Sequence, residues 1–439
     1  MKKVWFFSVF TLLLLACLLL IGCQKETPPP DETDPPAPSA TAEWEKCYTY
    51  EGNTTTGLTE YGESYIVRNG LTAVVPSSIN GQQITTIGRN TFDAAGVRKL
   101  IVSEGITTIK DNACSDTMFL QEIVLPNTLT TIETYAFETD MLLTVTIPPN
   151  VTTIGEHAFT CCALIQVTNL SSVDVTNYLP QNPGLEVRTS LDTPFINTLT
   201  YHDDGHITYT VGDKVYWMGY QGKSPVIDLS GKGITAIYQC AQWVDMTGAV
   251  EIIIPESVTE IGEDALGAVS LIHLTNLSGL SVNVNAAETR TSPDTPFANT
   301  LTYHDDGHIT YTVGETVYWA GYHGDATEID LSGKGITDIY PMSLMFNHTV
   351  SKITLPEGLT QIAEYAFGVA VELKEINIPA SVTSIEEEAF NNCFNLEKVT
   401  FAQTSGWVMT KDGAAADVTD PAANAARLGV TNSPAMRRS

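Results

Sequence analysis

One phrase recurs along this chain at a nearly fixed interval, and that periodicity constrains its fold more than any other feature. The pattern I-T-x-I, or its equivalent, begins at Ile84, Ile106, Leu129 and Val151, at spacings of 22, 23 and 22 residues. It returns at Ile234 and Val258, and again at Ile336, Leu359 and Val382. Aligning LTQIAEYAFGVAVELKEINIPAS with VTSIEEEAFNNCFNLEKVTFAQT superimposes apolar residues at Leu359/Val382, Ile362/Ile385, Ala366/Ala389, Phe367/Phe390, Leu373/Leu396, Ile376/Val399 and Ile378/Phe401. A unit of this length cannot bury its own apolar face, whereas stacked copies share one continuous core.

Within each unit the residue types suggest local structure. Val145-Thr146-Ile147 and Ile376-Asn377-Ile378 alternate apolar and polar residues, which is the period of a half-buried strand. Pro126, Pro148, Pro356 and Pro379 follow such segments and close them, because proline has no N–H to give to a ladder. The Ala-Phe step about ten residues before each strand reads as a short turn or helical piece that points an aromatic ring inward. The expected fold is a β-rich solenoid of repeats of about 22–23 residues, with one parallel sheet and short helical or irregular turns on the other wall.

A second periodicity overlies the first. DTPFINTLTYHDDGHITYTVGDKVYWMGY at 192–220 recurs as DTPFANTLTYHDDGHITYTVGETVYWAGY at 294–322. Near identity over this length implies internal duplication. Alternation around Asp-Asp-Gly and Val-Gly predicts a β-meander with tight turns in each copy. Three repeat blocks are therefore expected at 84–172, 233–279 and 335–404. Two β-rich inserts separate them at 173–232 and 280–334, with a β cap over 44–83 and a tail over 405–439.

The N-terminus carries a different signal. Lys2 and Lys3 precede an apolar run from Val4 to Ile21, the layout of a secretory leader. The run is long enough to raise the alternative of a membrane-spanning anchor. Leu20-Ile21-Gly22-Cys23 decides between them, because it resembles a bacterial lipobox, in which the cysteine is acylated and becomes the new N-terminus. Residues 1–22 then form the signal peptide and Cys23 is the lipidation site. Several acyl chains on one cysteine anchor stably where a single chain does not. Gln24 stands where an inner-membrane retention signal of some enteric lipoproteins places Asp, so onward transport is permitted. Residues 23–43 are Pro-rich and acidic, and read as an extended tether lifting the folded body off the membrane.

The repeat motif identifies a family. VTTIGEHAF (151–159), LTTIETYAF (129–137) and VTSIEEEAF (382–390) resemble the BspA-like leucine-rich repeats of bacterial surface lipoproteins, in nine imperfect copies. Trp407, a Gly-containing stretch and DVTDPAANAARL at 417–428 resemble the family's ending. Cys114 at a Phe position, and the degenerate units near Gln239–Gly248 and Met342–Thr349, depart from the pattern. The resemblance implies cell-surface display and protein–protein recognition or adhesion, to host matrix or cells or in co-aggregation. It implies no catalysis and no cofactor.

Charge narrows the partners. Lys+Arg 22 against Asp+Glu 51 gives a net charge of −29, which repels phosphate backbones and argues against nucleic acid. Neither a G-x-S-x-G elbow, an H-E-x-x-H pair nor a phosphate loop is present. The absence of C-x-x-C speaks against a zinc or thioredoxin-like site, and the cysteines at repeat positions read as small buried hydrophobes. His202-Asp203-Asp204-Gly205-His206, copied at His304–His308, could hold a metal. It reads instead as a hairpin turn flanked by strand histidines, because no third or fourth ligand is nominated and no metal is expected.

The insert aromatics supply the candidate contact surface: Tyr201, Tyr209, Tyr216, Trp217 and Tyr220, with Tyr303, Tyr311, Tyr318, Trp319 and Tyr322. The competing reading is that one meander face simply packs on the solenoid. Two further functions stay open beside protein recognition. One is a structural envelope or surface-coat role without a specific ligand; the other is glycan binding, with the aromatics as stacking platforms.

Overall fold

The computed structural model describes residues 42–438, apart from 93–96, 115–116, 118–119, 139–141, 161–162, 240–242, 245–248, 264, 267–269, 346, 348, 371, 394, 412–413 and 430–432. The leader, Cys23 and the tether lie outside the described residues, as do Cys161, Cys162 and Cys240. The chain divides into two compact units, Met1–Thr198 and Leu199–Ser439. Each is a β-solenoid.

In the first unit most turns contribute two strands. The longer ones are Thr72–Val75, Lys99–Val102, Glu122–Val124, Thr144–Ile147, Gln166–Asn169 and Glu186–Arg188, paired in parallel as two three-stranded sheets. The shorter ones are the I-T-x-I segments, whose two-residue strands Thr86–Ile87, Thr108–Ile109, Thr131–Ile132 and Thr153–Ile154 pair in parallel and in register. The wall expected to be irregular therefore carries its own ladder. Two residues are too few for alternation to reveal a strand in sequence.

Between the two strand sets lies the core. Val145 and Ile147 point inward while Thr144 and Thr146 face solvent, as their alternation predicts. The Ala-Phe rings stack from turn to turn: Phe137 on Phe159 with centroids 5.4 Å apart, and in the second unit Phe367 on Phe390 at 5.1 Å. All four are fully buried. Cys114 and Cys393 are buried among these side chains, as small apolar residues would be.

A backbone device sets up each Ala-Phe step. The second residue before the aromatic position adopts a left-handed conformation at Asn90, Asn112, Tyr135 and His157, and at Met342, Tyr365 and Glu388, with φ between 54° and 63°. For non-glycine residues this conformation is uncommon and costs about 1–2 kcal/mol each. It turns the chain so that backbone N–H groups meet the next turn. Asn112 and Tyr135 donate to the carbonyls of Thr134 and Glu156, while Cys114 and Phe137 donate to those of Ala136 and Ala158.

The first unit begins with a cap in which antiparallel strands Tyr48–Glu51 and Thr54–Leu58 lead into the short-strand ladder. The helix Glu60–Arg68 packs beside them so closely that a side chain at Gly62 would strike the Cys47 carbonyl. This cap is therefore α and β together, and Thr72–Val75 within it is already a solenoid strand.

The second unit contains both duplicated hairpins. Strands His206–Val211 and Lys214–Tyr220 pair antiparallel, as do His308–Val313 and Thr316–Tyr322. The second strand of each then continues in parallel with a following I-T-x-I strand: Tyr216 and Trp217 align with Ala236 and Ile237, and Tyr318 and Trp319 with Asp338 and Ile339. The insert is thus woven into the repeat phase, and its tryptophan occupies the slot of a repeat isoleucine. Longer strands Glu328–Asp330, Lys352–Thr354, Glu375–Ile378 and Lys398–Phe401 form a four-stranded parallel sheet.

The expected tail is an ordered cap. The helix Pro421–Leu428 is started by Asp420, whose carboxylate accepts from the N–H groups of Ala422 and Ala423, with proline at its first turn. Asn424 is buried on this helix and donates to the carbonyls of Val399 and Val418. The final strand, Met436–Arg438, inserts antiparallel between Ser384–Ile385 and Trp407–Met409.

Candidate functional site

The aromatic set is placed by the register just described. Trp217 and Trp319 are fully buried, and Tyr209, Tyr216, Tyr220, Tyr311 and Tyr322 are buried; Tyr318 is half-buried. These side chains do not present a contact surface in this structure. Tryptophan in an isoleucine slot must point into the core, and the tyrosines pack beside it. Tyr216 meets Tyr238 edge-on at 5.4 Å, and Tyr318 meets Tyr340 likewise at 5.8 Å. The Tyr220 hydroxyl accepts from the Ser224 N–H at 3.1 Å, and that of Tyr322 from the Ala326 N–H at 3.0 Å.

The first strand of each meander carries the aromatics that do face solvent. Tyr201 is 58% exposed and Tyr303 is 38% exposed. The Tyr303 hydroxyl donates to Glu251 at 3.3 Å. Both belong to the candidate aromatic set, and both lie at the outer edge of the meander, one strand removed from the segment that rejoins the repeats.

The His-Asp-Asp-Gly-His motif forms the turn between the first two meander strands. Gly205 and Gly307 adopt φ values of +91° and +90°, and a side chain at either would strike the backbone of Gly222 or Gly324. His202 and His304 bond to the hydroxyls of Thr208 and Thr310 at 2.7 and 2.8 Å. Asp204 is ion-paired with Lys232, and Asp306 with Lys334. Each motif thus has a structural use for its carboxylate and for its first histidine. Among the described residues no group of three or more His, Cys, Asp or Glu side chains is placed to hold a metal ion.

The DTPF segments fold onto their preceding strands by the same clamp twice. Arg188 lies over Phe195 at 4.4 Å and Arg290 over Phe297 at 4.5 Å. Glu186 accepts from the N–H groups of Ile196 and Asn197, and Glu288 from those of Ala298 and Asn299.

What faces solvent in order is the outer side of the longer strands. In the second unit the row Glu328, Lys352, Glu375, Lys398 crosses the sheet with alternating charge, pairing at 3.8 Å between Lys352 and Glu328 and 3.7 Å between Lys398 and Glu375. In the first unit Lys99 pairs with Glu122 at 2.5 Å, next to exposed Val124, Thr144 and Thr146. Interior strands of these sheets have paired backbones, so recognition on this face falls to side chains.

The pattern of BspA-type leucine-rich repeat regions matches residues 74–179 and 324–409, in six copies. These repeat regions belong to the BspA-type leucine-rich-repeat family. The matched stretches span the expected first and third repeat blocks, and the residues between them hold the expected second block and most of each insert. A leucine-rich cell surface protein from Faecalibacterium prausnitzii is similar at 17% identity, covering 82% of this chain and 95% of its own, with a TM-score of 0.20. A leucine-rich repeat protein from Eubacterium ventriosum shares 17% identity over 77% of this chain and 87% of its own, with a TM-score of 0.24. The pneumococcal vaccine antigen PcpA shares 16% over 80% of this chain and 71% of its own, with a TM-score of 0.21. No curated protein matches the chain. Among the described residues no helix is long and apolar enough to cross a membrane.

Proposed function

We propose that this BspA-type repeat chain is a surface-displayed lipoprotein, anchored through Cys23, that binds a protein partner on host matrix, host cells or neighbouring bacteria. The solvent face of the longer strands is the recognition surface. The observation that supports this most is the in-register row of Glu328, Lys352, Glu375 and Lys398. A rigid ladder holds these charges at fixed spacing, so little side-chain-bearing backbone must be ordered on binding. Charge alternation of this kind selects partners by complementarity more than by affinity.

The test uses the chain without residues 1–22, presented to matrix proteins, host cells and neighbouring bacteria. Saturable binding that is lost on the double reversal Lys352→Glu and Lys398→Glu is the expected result. Absence of binding to all three classes overturns the reading. Protease shaving of intact cells tests display, and Cys23→Ser is expected to release the protein from the membrane fraction. The burial of Trp217 and Trp319 weighs against a glycan platform built on them.

A further inference from the structure

The turn that carries Glu388 meets a strap, Ser433–Arg438, and Ser433 takes the place that a following turn holds elsewhere. Elsewhere the left-handed residue and the aromatic two positions later donate their N–H groups to the following turn, as Tyr135 and Phe137 donate to Glu156 and Ala158. Here the N–H of Glu388 donates to the Ser433 carbonyl at 2.9 Å, and the N–H of Phe390 to the Ser433 hydroxyl at 3.4 Å. The strap continues as a strand on Ser384–Ile385, and Arg438 donates from its backbone to Thr383 and from its guanidinium to Ala380.

Beneath this contact lies a charge problem. Glu388 is buried, with 8% of its surface exposed, and its Oε2 has no hydrogen-bond partner. The titratable groups acting on it are Glu387 on its own turn and Glu364 on the preceding one. Tyr365 adjoins the same group, and Glu386 acts on Glu364. No cation is among these influences. The strap's own arginines are directed elsewhere, Arg437 to solvent and Arg438 to Ala380. An ionised carboxylate here loses its water and meets like charge, whereas a neutral acid avoids both costs.

We propose that the Ser433–Arg438 strap is a pH-operated latch, held closed while Glu388 is a carboxylic acid and loosened when Glu388 ionises. Burial first, and the carboxylates of Glu387 and Glu364 next, push the Glu388 carboxyl from 4.5 up to about 7, against a backbone hydrogen bond from Ser433 that lowers it. Because the closed-state value is the raised one, closure is favoured in acid. It weakens as pH rises through about 7. Opening returns the Glu388 turn to an uncapped edge, with the N–H groups of Glu388 and Phe390 unpaired.

Hydrogen exchange on the folded chain tests this, read at Glu388, Phe390 and Met436–Arg438 and corrected for the intrinsic pH dependence of exchange. Protection of these amides is expected to fall about tenfold or more between pH 5.5 and 8. Glu388→Gln is expected to hold it high and flat across that range. Glu364→Gln removes one repulsive charge and is expected to move the wild-type midpoint to lower pH. A purely structural role for Glu388 would shift protection uniformly and leave the pH profile unchanged. A flat wild-type profile, or a wild-type profile retained in Glu388→Gln, overturns the latch. Should Glu388→Gln not fold, the wild-type profile and the direction of the Glu364→Gln shift decide the matter.

Discussion

The two meanders are nearly the same sequence placed twice in one unit, yet their interiors are bonded differently. In the first, the Trp217 indole N–H donates to His206 Nδ1 at 3.2 Å. Burial pushes that histidine down to about 4, so it is neutral and able to accept. In the second, the Trp319 indole N–H has no hydrogen-bond partner, and His308 Nδ1 lies 3.3 Å from Asp306 instead. Both ring nitrogens of His308 lack a hydrogen bond of good geometry, as do the Ser343 hydroxyl and His323 Nε2. Both copies thus share the hairpin and the register of the tryptophan, while its buried polar partner differs with the surroundings. The flanking residues do differ, with Gln221 against His323 and Met218 against Ala320.

The largest effects should make the copies look alike. Trp217→Ala and Trp319→Ala each empty a core slot and are expected to cost about 3–5 kcal/mol in urea unfolding of the second unit. A difference between them beyond that range would break the equivalence of the two slots. Next, Trp217→Phe and Trp319→Phe should separate them. The first strips His206 of a donor, and the second removes an indole N–H that was unpaired. Trp217→Phe is therefore expected to be the more destabilising by about 1 kcal/mol, and equal midpoints would show that the histidine bond adds nothing.

Acid sharpens the contrast further. His206 and His308 are both lowered from 6.5, chiefly by burial, so each binds its proton more readily in the unfolded chain. Their contribution to stability is complete above about pH 6.5 and is lost as pH falls, for His206 down to about 4. Replacing His206 with Gln is expected to flatten the stability profile between pH 4 and 6.5, as measured by unfolding at stepped pH. The smallest effect is at the surface. Asp204→Asn and Asp306→Asn each break an exposed ion pair with Lys232 or Lys334, and should change stability by no more than about 1 kcal/mol.

How much of this could be read from the sequence depended on how far each determinant lay along the chain. Strand alternation and closing prolines are local, so Thr144–Ile147 and Glu375–Ile378 were legible. The burial of Trp217 was not, because it is decided by pairing with Ile237, twenty residues downstream. Alternation in TYTVGDKVYWMGY shows which side chains share a face but not which neighbour that face meets. The terminal strap was equally hidden. SPAMRRS contains Met436 as its one large apolar residue, and much of its contribution is backbone hydrogen bonding that leaves no pattern in side chains. The charged row on the longer strands was visible residue by residue, but its register needed the fold.

Trp217 and Trp319 standing in isoleucine slots also bears on how such a chain grows. A cassette whose last strand already matches the lattice spacing can be copied whole, and the 102-residue offset between the two copies is an addition of that kind. Joining it demands no new solution to side-chain packing at the seam, since the incoming edge accepts the same neighbour as the outgoing one. Length then becomes a quantity that heredity adjusts in discrete steps, while the strand register of each joint stays constant.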